Sequence, residues 1–107
     1  MDAEQMNPKV ARKVVHCANV TVARIELKKD AVVPEHSHVN EQVTTIERGA
    51  LKFVIRGREQ VVRVGESLVL EPHEPHSVVA LEDSVALDIF APAREDWIRG
   101  DDAYLRK

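Results

Sequence analysis

The strongest constraint on this chain is a succession of short apolar–polar alternations, each closed by a turn signal. Val20, Val22 and Arg24 alternate with Thr21, Ala23 and Ile25, and Leu51, Phe53 and Ile55 alternate with Lys52, Val54 and Arg56. A period of two is the signature of a half-buried strand. Further β-rich runs lie at 43–47, 60–64, 67–70, 77–81 and 85–90. Between them stand Lys28-Lys29-Asp30, Gly49, Gly57-Arg58, Gly65-Glu66, the Pro72–Pro75 stretch and Glu82-Asp83, all turn formers. About seven or eight short strands at this spacing predict a β-sandwich or barrel. Only the end reads as helical, where Pro92 precedes Arg94-Glu95-Asp96-Trp97-Ile98 and a turn or two is expected.

With 107 residues the chain is one domain with one modest core. The polar N-terminal dozen residues, interrupted by Pro8, read as a loose arm over 1–13, followed by a barrel over 14–92 and a tail over 93–107. The net charge of −3 supplies no field for nucleic acid. No apolar run approaches the roughly 20 residues of a membrane-spanning helix, and Met1–Lys13 lacks the pattern of a secretory signal. The single Cys17 cannot form an internal disulfide. A cytoplasmic domain is the expectation, with neither nucleic acid nor membrane as partner.

The chemistry-bearing residues are sparse. Of the five histidines, His36 and His38 are two apart, so on a strand both imidazoles face one way, and on an unbroken strand Gln42, Thr44 and Ile46 share that face. His76 follows the Pro-rich loop and is placed to enter the same cavity. Three imidazoles and one carboxamide oxygen suit a divalent first-row metal, and neutral ligands leave the ion its full charge for an anionic ligand oxygen. The competing reading is a decorated strand and a hydrogen-bonded core histidine. His16 and Cys17 project to opposite faces, and His73 reads as loop packing; none of the three is assigned a role. Asp88 interrupts the apolar run 85–90, and a buried carboxylate demands a partner, a metal or a catalytic use. Asp88 and Phe90 share a face, with Ala86 leaving room beside them. Arg94 is placed to fork onto a carboxylate, Asp88 or a ligand's, unless it is an ordinary surface arginine.

The segment His36-Ser37-His38-Val39-Asn40-Glu41-Gln42, followed by Gly49, resembles the first motif of the cupin superfamily, and Gly65 to Leu70 with Pro72 and His76 resembles the second. The resemblance implies a small antiparallel barrel of two sheets in jelly-roll topology, with a metal in its mouth and a homodimer as the assembly. Cupins usually carry a Glu ligand where this chain has Gln42, which removes one negative charge from the site. The stretch Leu87-Asp88-Ile89-Phe90-Ala91-Pro92-Ala93-Arg94-Glu95-Asp96-Trp97 is similar to the ending of the KdgF-type cupins, the pectin degradation proteins, which also carry the Gln. That resemblance implies action on 4,5-unsaturated monouronates from pectin or alginate breakdown, converting the cyclic sugar to its linear keto form. It implies His36, His38, Gln42 and His76 as metal ligands. It implies Asp88, Phe90 and Arg94 as cavity residues, with Asp88 as proton shuttle and Arg94 as carboxylate clamp. Imidazole ligands suit nickel, zinc, iron, manganese and copper alike. The alternatives are another metal-dependent cupin enzyme, a dioxygenase or isomerase, and a non-catalytic sugar- or carboxylate-binding cupin.

Overall fold

Along each strand buried and exposed side chains take turns, and that alternation wraps the chain into two facing antiparallel sheets. The computed structural model describes residues 3–106. The strands are β1 (Glu4–Asn7), β2 (Val10–His16), β3 (Thr21–Leu27), β4 (Val32–His36), β5 (Glu41–Arg48), β6 (Ala50–Ile55), β7 (Arg58–Arg63), β8 (Ser67–Leu70), β9 (His76–Ala80) and β10 (Ser84–Ala91). One short helix, α1 (Glu95–Ile98), and a 3-10 turn (Ala103–Leu105) follow. The larger sheet runs β1-β2-β3-β10-β5-β8 and the smaller β4-β9-β6-β7. This is the double-sheet jelly roll that the alternation and the motifs predict.

The N-terminal reading is corrected. The segment expected as a loose arm supplies β1 and most of β2, which pair with each other and onto β3. The reason is apolar spacing that Pro8 and the surrounding charges obscured: Met6, Val10 and Ala11 are buried. Arg12 is buried too, over the Trp97 ring and ion-paired with Asp102. The short β4 was also unassigned in the sequence.

Turn chemistry follows the sequence. Arg56 and Gly57 both take positive φ (52° and 76°), the requirement of a two-residue hairpin between β6 and β7. Gly49 (φ 78°) lies so close to Ser84 Oγ and the Asp83 carbonyl that a Cβ would collide with them. The interior between the sheets is filled by Ile25, Leu27, Ile46, Leu51 and Phe53, with Leu70 beside Gln42 on the neighbouring strand. The outer face of the larger sheet carries a cross-strand row in register: Val15, Val22, Ile89, Val43 and Val69. No helix among the described residues is long and apolar enough to cross a membrane.

Candidate functional site

His36, His38 and His76 come together, with ligand nitrogens within 4.8 Å of one another. The convergence predicted from strand parity is real, but its mechanism is different. The strand is broken. β4 ends at His36, residues 37–40 cross from the smaller sheet to the larger, and β5 begins at Glu41. His38 lies in the crossing, whose backbone is held by a hydrogen bond from His73 N–H to the His38 carbonyl (2.7 Å). That contact gives the His73 turn (φ 65°) its place; its imidazole stays at the surface. His76 opens β9 directly opposite His36 in the sheet register. His16 lies outside the cluster, bonded to Thr21 Oγ1, and Cys17 is exposed.

Each imidazole is oriented by backbone. Nδ1 of His36 meets the Pro34 carbonyl at 2.8 Å, that of His38 the Asn40 carbonyl at 3.1 Å, and that of His76 the Glu74 carbonyl at 2.8 Å. A carbonyl only accepts, so each Nδ1 carries the hydrogen and each Nε2 keeps its lone pair. Burial holds all three rings neutral. It pushes the pKa of His36 and of His38 down to about 4, with the neighbouring imidazoles and Arg94 adding to the effect, and lowers that of His76.

A second chain of contacts fixes Gln42. Inward positions of β5 and β10 face each other, Gln42 against Phe90 and Thr44 against Asp88. Thr44 Oγ1 donates to Asp88 Oδ1 (2.7 Å), so its oxygen is free to accept from Gln42 Nε2 (2.8 Å). That turns Gln42 Oε1 toward His38 Nε2, 3.0 Å away. Two acceptors then face each other, an arrangement that a bound cation relieves. This donor set, three unprotonated imidazole nitrogens and a carboxamide oxygen, fits a divalent transition metal.

Asp88 is buried, and burial raises its pKa to about 6 against the lowering effects of Thr44, Arg94 and Gln42. It makes no ion pair with Arg94. Arg94, 1% exposed, forks instead onto Asp96 (Nε–Oδ1 2.9 Å, Nη2–Oδ2 2.7 Å) and donates from Nη2 to the Tyr104 hydroxyl (2.8 Å). Its backbone N–H is held by Thr21 Oγ1 (2.8 Å), and its guanidinium stacks over Phe90 and Trp97 at 4.6 and 4.2 Å. Asn40 Nδ2 anchors the same loop through the Pro92 and Ala93 carbonyls.

His36, Gln42, His76, Asp88, Phe90 and Arg94 all line one cavity. The lining also takes in Ile25, Leu51 and Phe53 from the core, and Trp97 and Tyr104, none of them singled out as cavity residues in the sequence. Tyr104 stacks on His36, ring centroids 4.3 Å apart and planes 22° from parallel. Its only sequence signal is being an aromatic residue in a charged tail. With Tyr104 in place the cavity measures about 50 Å³, room for roughly three or four waters.

A histidine cluster in the mouth of a double-sheet barrel defines the class. A cupin domain model matches residues 23–90, more than half the chain, and the chain belongs to the cupin family. It is a small cupin resembling KdgF. The solved structure of KdgF from Halomonas sp. is 28% identical, with 91% of this chain and 93% of that one covered and a TM-score of 0.84. An RmlC-like cupin from Shewanella frigidimarina is 26% identical over 90% and 87%, with a TM-score of 0.83. Oxalate decarboxylase from Bacillus subtilis, a protein with Mn(II) centres, shares the fold alone: 20% identity, 85% of this chain but 27% of that one, TM-score 0.75. No curated protein sequence matches the chain.

Proposed function

We propose that this cupin is a metal-dependent enzyme that opens the ring of 4,5-unsaturated monouronates to their linear keto form. The observation that supports this most is the linkage of a buried carboxylate, Asp88, through Thr44 and Gln42 to His38 of the three-imidazole cluster, with Asp88, Gln42, His36, His76 and Arg94 lining one cavity. His36, His38, His76 and Gln42 would hold the ion. A divalent cation there supplies Lewis-acid stabilisation of negative charge on a substrate oxygen.

The substrate is a cyclic hemiacetal whose ring oxygen sits on the C4–C5 double bond. Asp88 takes the proton of the anomeric hydroxyl. The bond between C1 and the ring oxygen breaks, C1 becomes the aldehyde, and the ring oxygen departs as an enolate oxygen on C5. The Asp88 carboxyl then returns its proton to C4 and the enolate becomes a ketone. One proton moves from O1 to C4, and a carboxyl that titrates near neutrality suits both halves of that transfer. Arg94 clamps the substrate carboxylate, and Phe90 walls the apolar face of the sugar. The homodimer belongs to the same proposal, and the exposed Val/Ile row across the larger sheet supports it as the contact face.

Incubation with a 4,5-unsaturated monouronate in D₂O, followed by proton NMR, tests the reading. The expected product is linear, with one solvent deuterium at C4. An unchanged substrate spectrum in metal-supplemented protein would remove the proposal. The small volume of the cavity favours one second reading, a metal-dependent cupin acting on a smaller carboxylate, which that negative result would bring forward.

A further inference from the structure

The Tyr104 hydroxyl receives two hydrogen bonds, from Arg94 Nη2 (2.8 Å) and Trp97 Nε1 (3.0 Å). Neither group can accept, so two donors converge on one oxygen. The donors are rigidly held. Arg94 is forked onto Asp96, and the Trp97 ring packs edge-on against Phe90 (5.1 Å, 68°) between the Arg12 and Arg94 guanidiniums.

The acceptor comes from a short element of its own. Tyr104 sits on a 3-10 turn outside both sheets, closed by backbone bonds from Leu105 N–H to the Asp102 carbonyl and from Arg106 N–H to the Ala103 carbonyl, both 3.0 Å. Asn7 and the Asp102 ion pairs tether its flanks, while the Tyr104 ring is half-buried, packs against the core and stacks on His36. A carboxylate offers a guanidinium an opposite charge and a bidentate acceptor, which a neutral hydroxyl lacks. With the phenol ring in place the cavity offers about 50 Å³, and displacing that ring would enlarge it beside His36.

We propose that Arg94 Nη2 and Trp97 Nε1 form a preformed two-donor seat for the ligand's carboxylate, and that the Tyr104 hydroxyl holds this seat closed until the ligand displaces it. Trp97 thereby becomes a substrate-binding residue, and Tyr104 an internal competitor. The inference rests on reading this cavity as the site of an anionic sugar. Closure lowers the apparent affinity by the fraction of molecules with the seat open.

Trp97 is the only tryptophan, so its fluorescence reports on the seat directly. Titration with galacturonate, an unreactive saturated uronate, should give a saturable change. Tyr104→Ala should tighten the dissociation constant about 3- to 10-fold. Tyr104→Phe keeps the ring and removes only the acceptor, and should move it the same way by a smaller factor. The uncharged methyl ester should bind at least about tenfold more weakly than the acid. In turnover, Trp97→Phe should raise KM about tenfold. Unchanged or weakened galacturonate binding in both Tyr104 variants, or equal binding of ester and acid, would overturn the seat. Galacturonate binding without turnover of the unsaturated sugar would overturn the ring-opening reading and leave the seat standing.

Discussion

The two ends of the barrel interior are built by the same strands and do opposite things. Inward positions of β5 run from Ile46 through Thr44 to Gln42, those of β9 from Ala80 through Val78 to His76, and those of β4 from Val33 toward His36. One end closes on Ile46, Val62 and Ala80, the other opens on histidines and Asp88, and Leu51 and Phe53 form the apolar floor between them. Each fully buried large apolar side chain contributes about 1.5–3 kcal/mol, whereas a buried polar group without a partner costs about 1–3 kcal/mol. The apolar end therefore stabilises a fold whose polar end is tolerated only because every ring and amide there has a partner. Stability and chemistry are separated along the strands, and the separation can be broken from either side.

The largest effect is expected at the apolar end. Ile46→Ala, away from the cavity lining, should lower unfolding free energy by about 2–5 kcal/mol, read from urea denaturation, while the metal bound per folded molecule stays constant. Asp88→Asn should do the reverse: turnover falls about 10²- to 10³-fold, with the denaturation midpoint unchanged or raised, because a buried carboxylate has been neutralised. A midpoint that drops with turnover would make Asp88 a structural residue. Thr44→Val should cost about 1–2 kcal/mol, since it unpairs both Gln42 and Asp88. It should weaken metal retention as well, because the Gln42 amide loses the contact that turns its oxygen inward.

The smallest effect concerns the cover. Burial would raise the Asp102 carboxyl, but hydrogen bonds from Arg106 and Arg12 outweigh it and hold the pKa below its ordinary 3.8; the same arginines hold Glu4 below 4.5. Carboxyls lowered in the folded state stabilise it above their unfolded values and lose that contribution as pH falls. The three imidazoles held neutral by burial already favour the unfolded state as pH falls below about 6.5; the carboxyls should add a further decline of the urea midpoint below about pH 4.5, and Arg106→Gln should make that lower part shallower. An unchanged slope would remove these pairs from the stability of the C-terminal cover.

The barrel was legible because alternation and turn residues are local signals. Leu51, Phe53 and Ile55 announce their strand without help from the rest of the chain. The histidine cluster was legible by spacing, although the parity argument reached it through a strand that does not exist: the crossing at 37–40 does the work that an unbroken face was expected to do. What stayed hidden depends on contacts distant in sequence. Arg12 reads as one charge among many until Asp102 and Trp97 arrive beside it from 85 or more residues away. Arg94 reads as a free clamp until Asp96 and Tyr104 occupy two of its nitrogens. The partner of Asp88 was sought in Arg94 and is Thr44, whose hydroxyl carries no signal of its own in the sequence.

The central claim is that the polar end is a metal-dependent catalytic centre for unsaturated uronates. The most direct test follows the ultraviolet absorbance of a 4,5-unsaturated monouronate with purified protein, after chelation, and after metal is returned. Faster loss of absorbance with protein, abolished by the chelator and restored by the metal, is the predicted result. Loss at the uncatalysed rate in metal-loaded protein would contradict it.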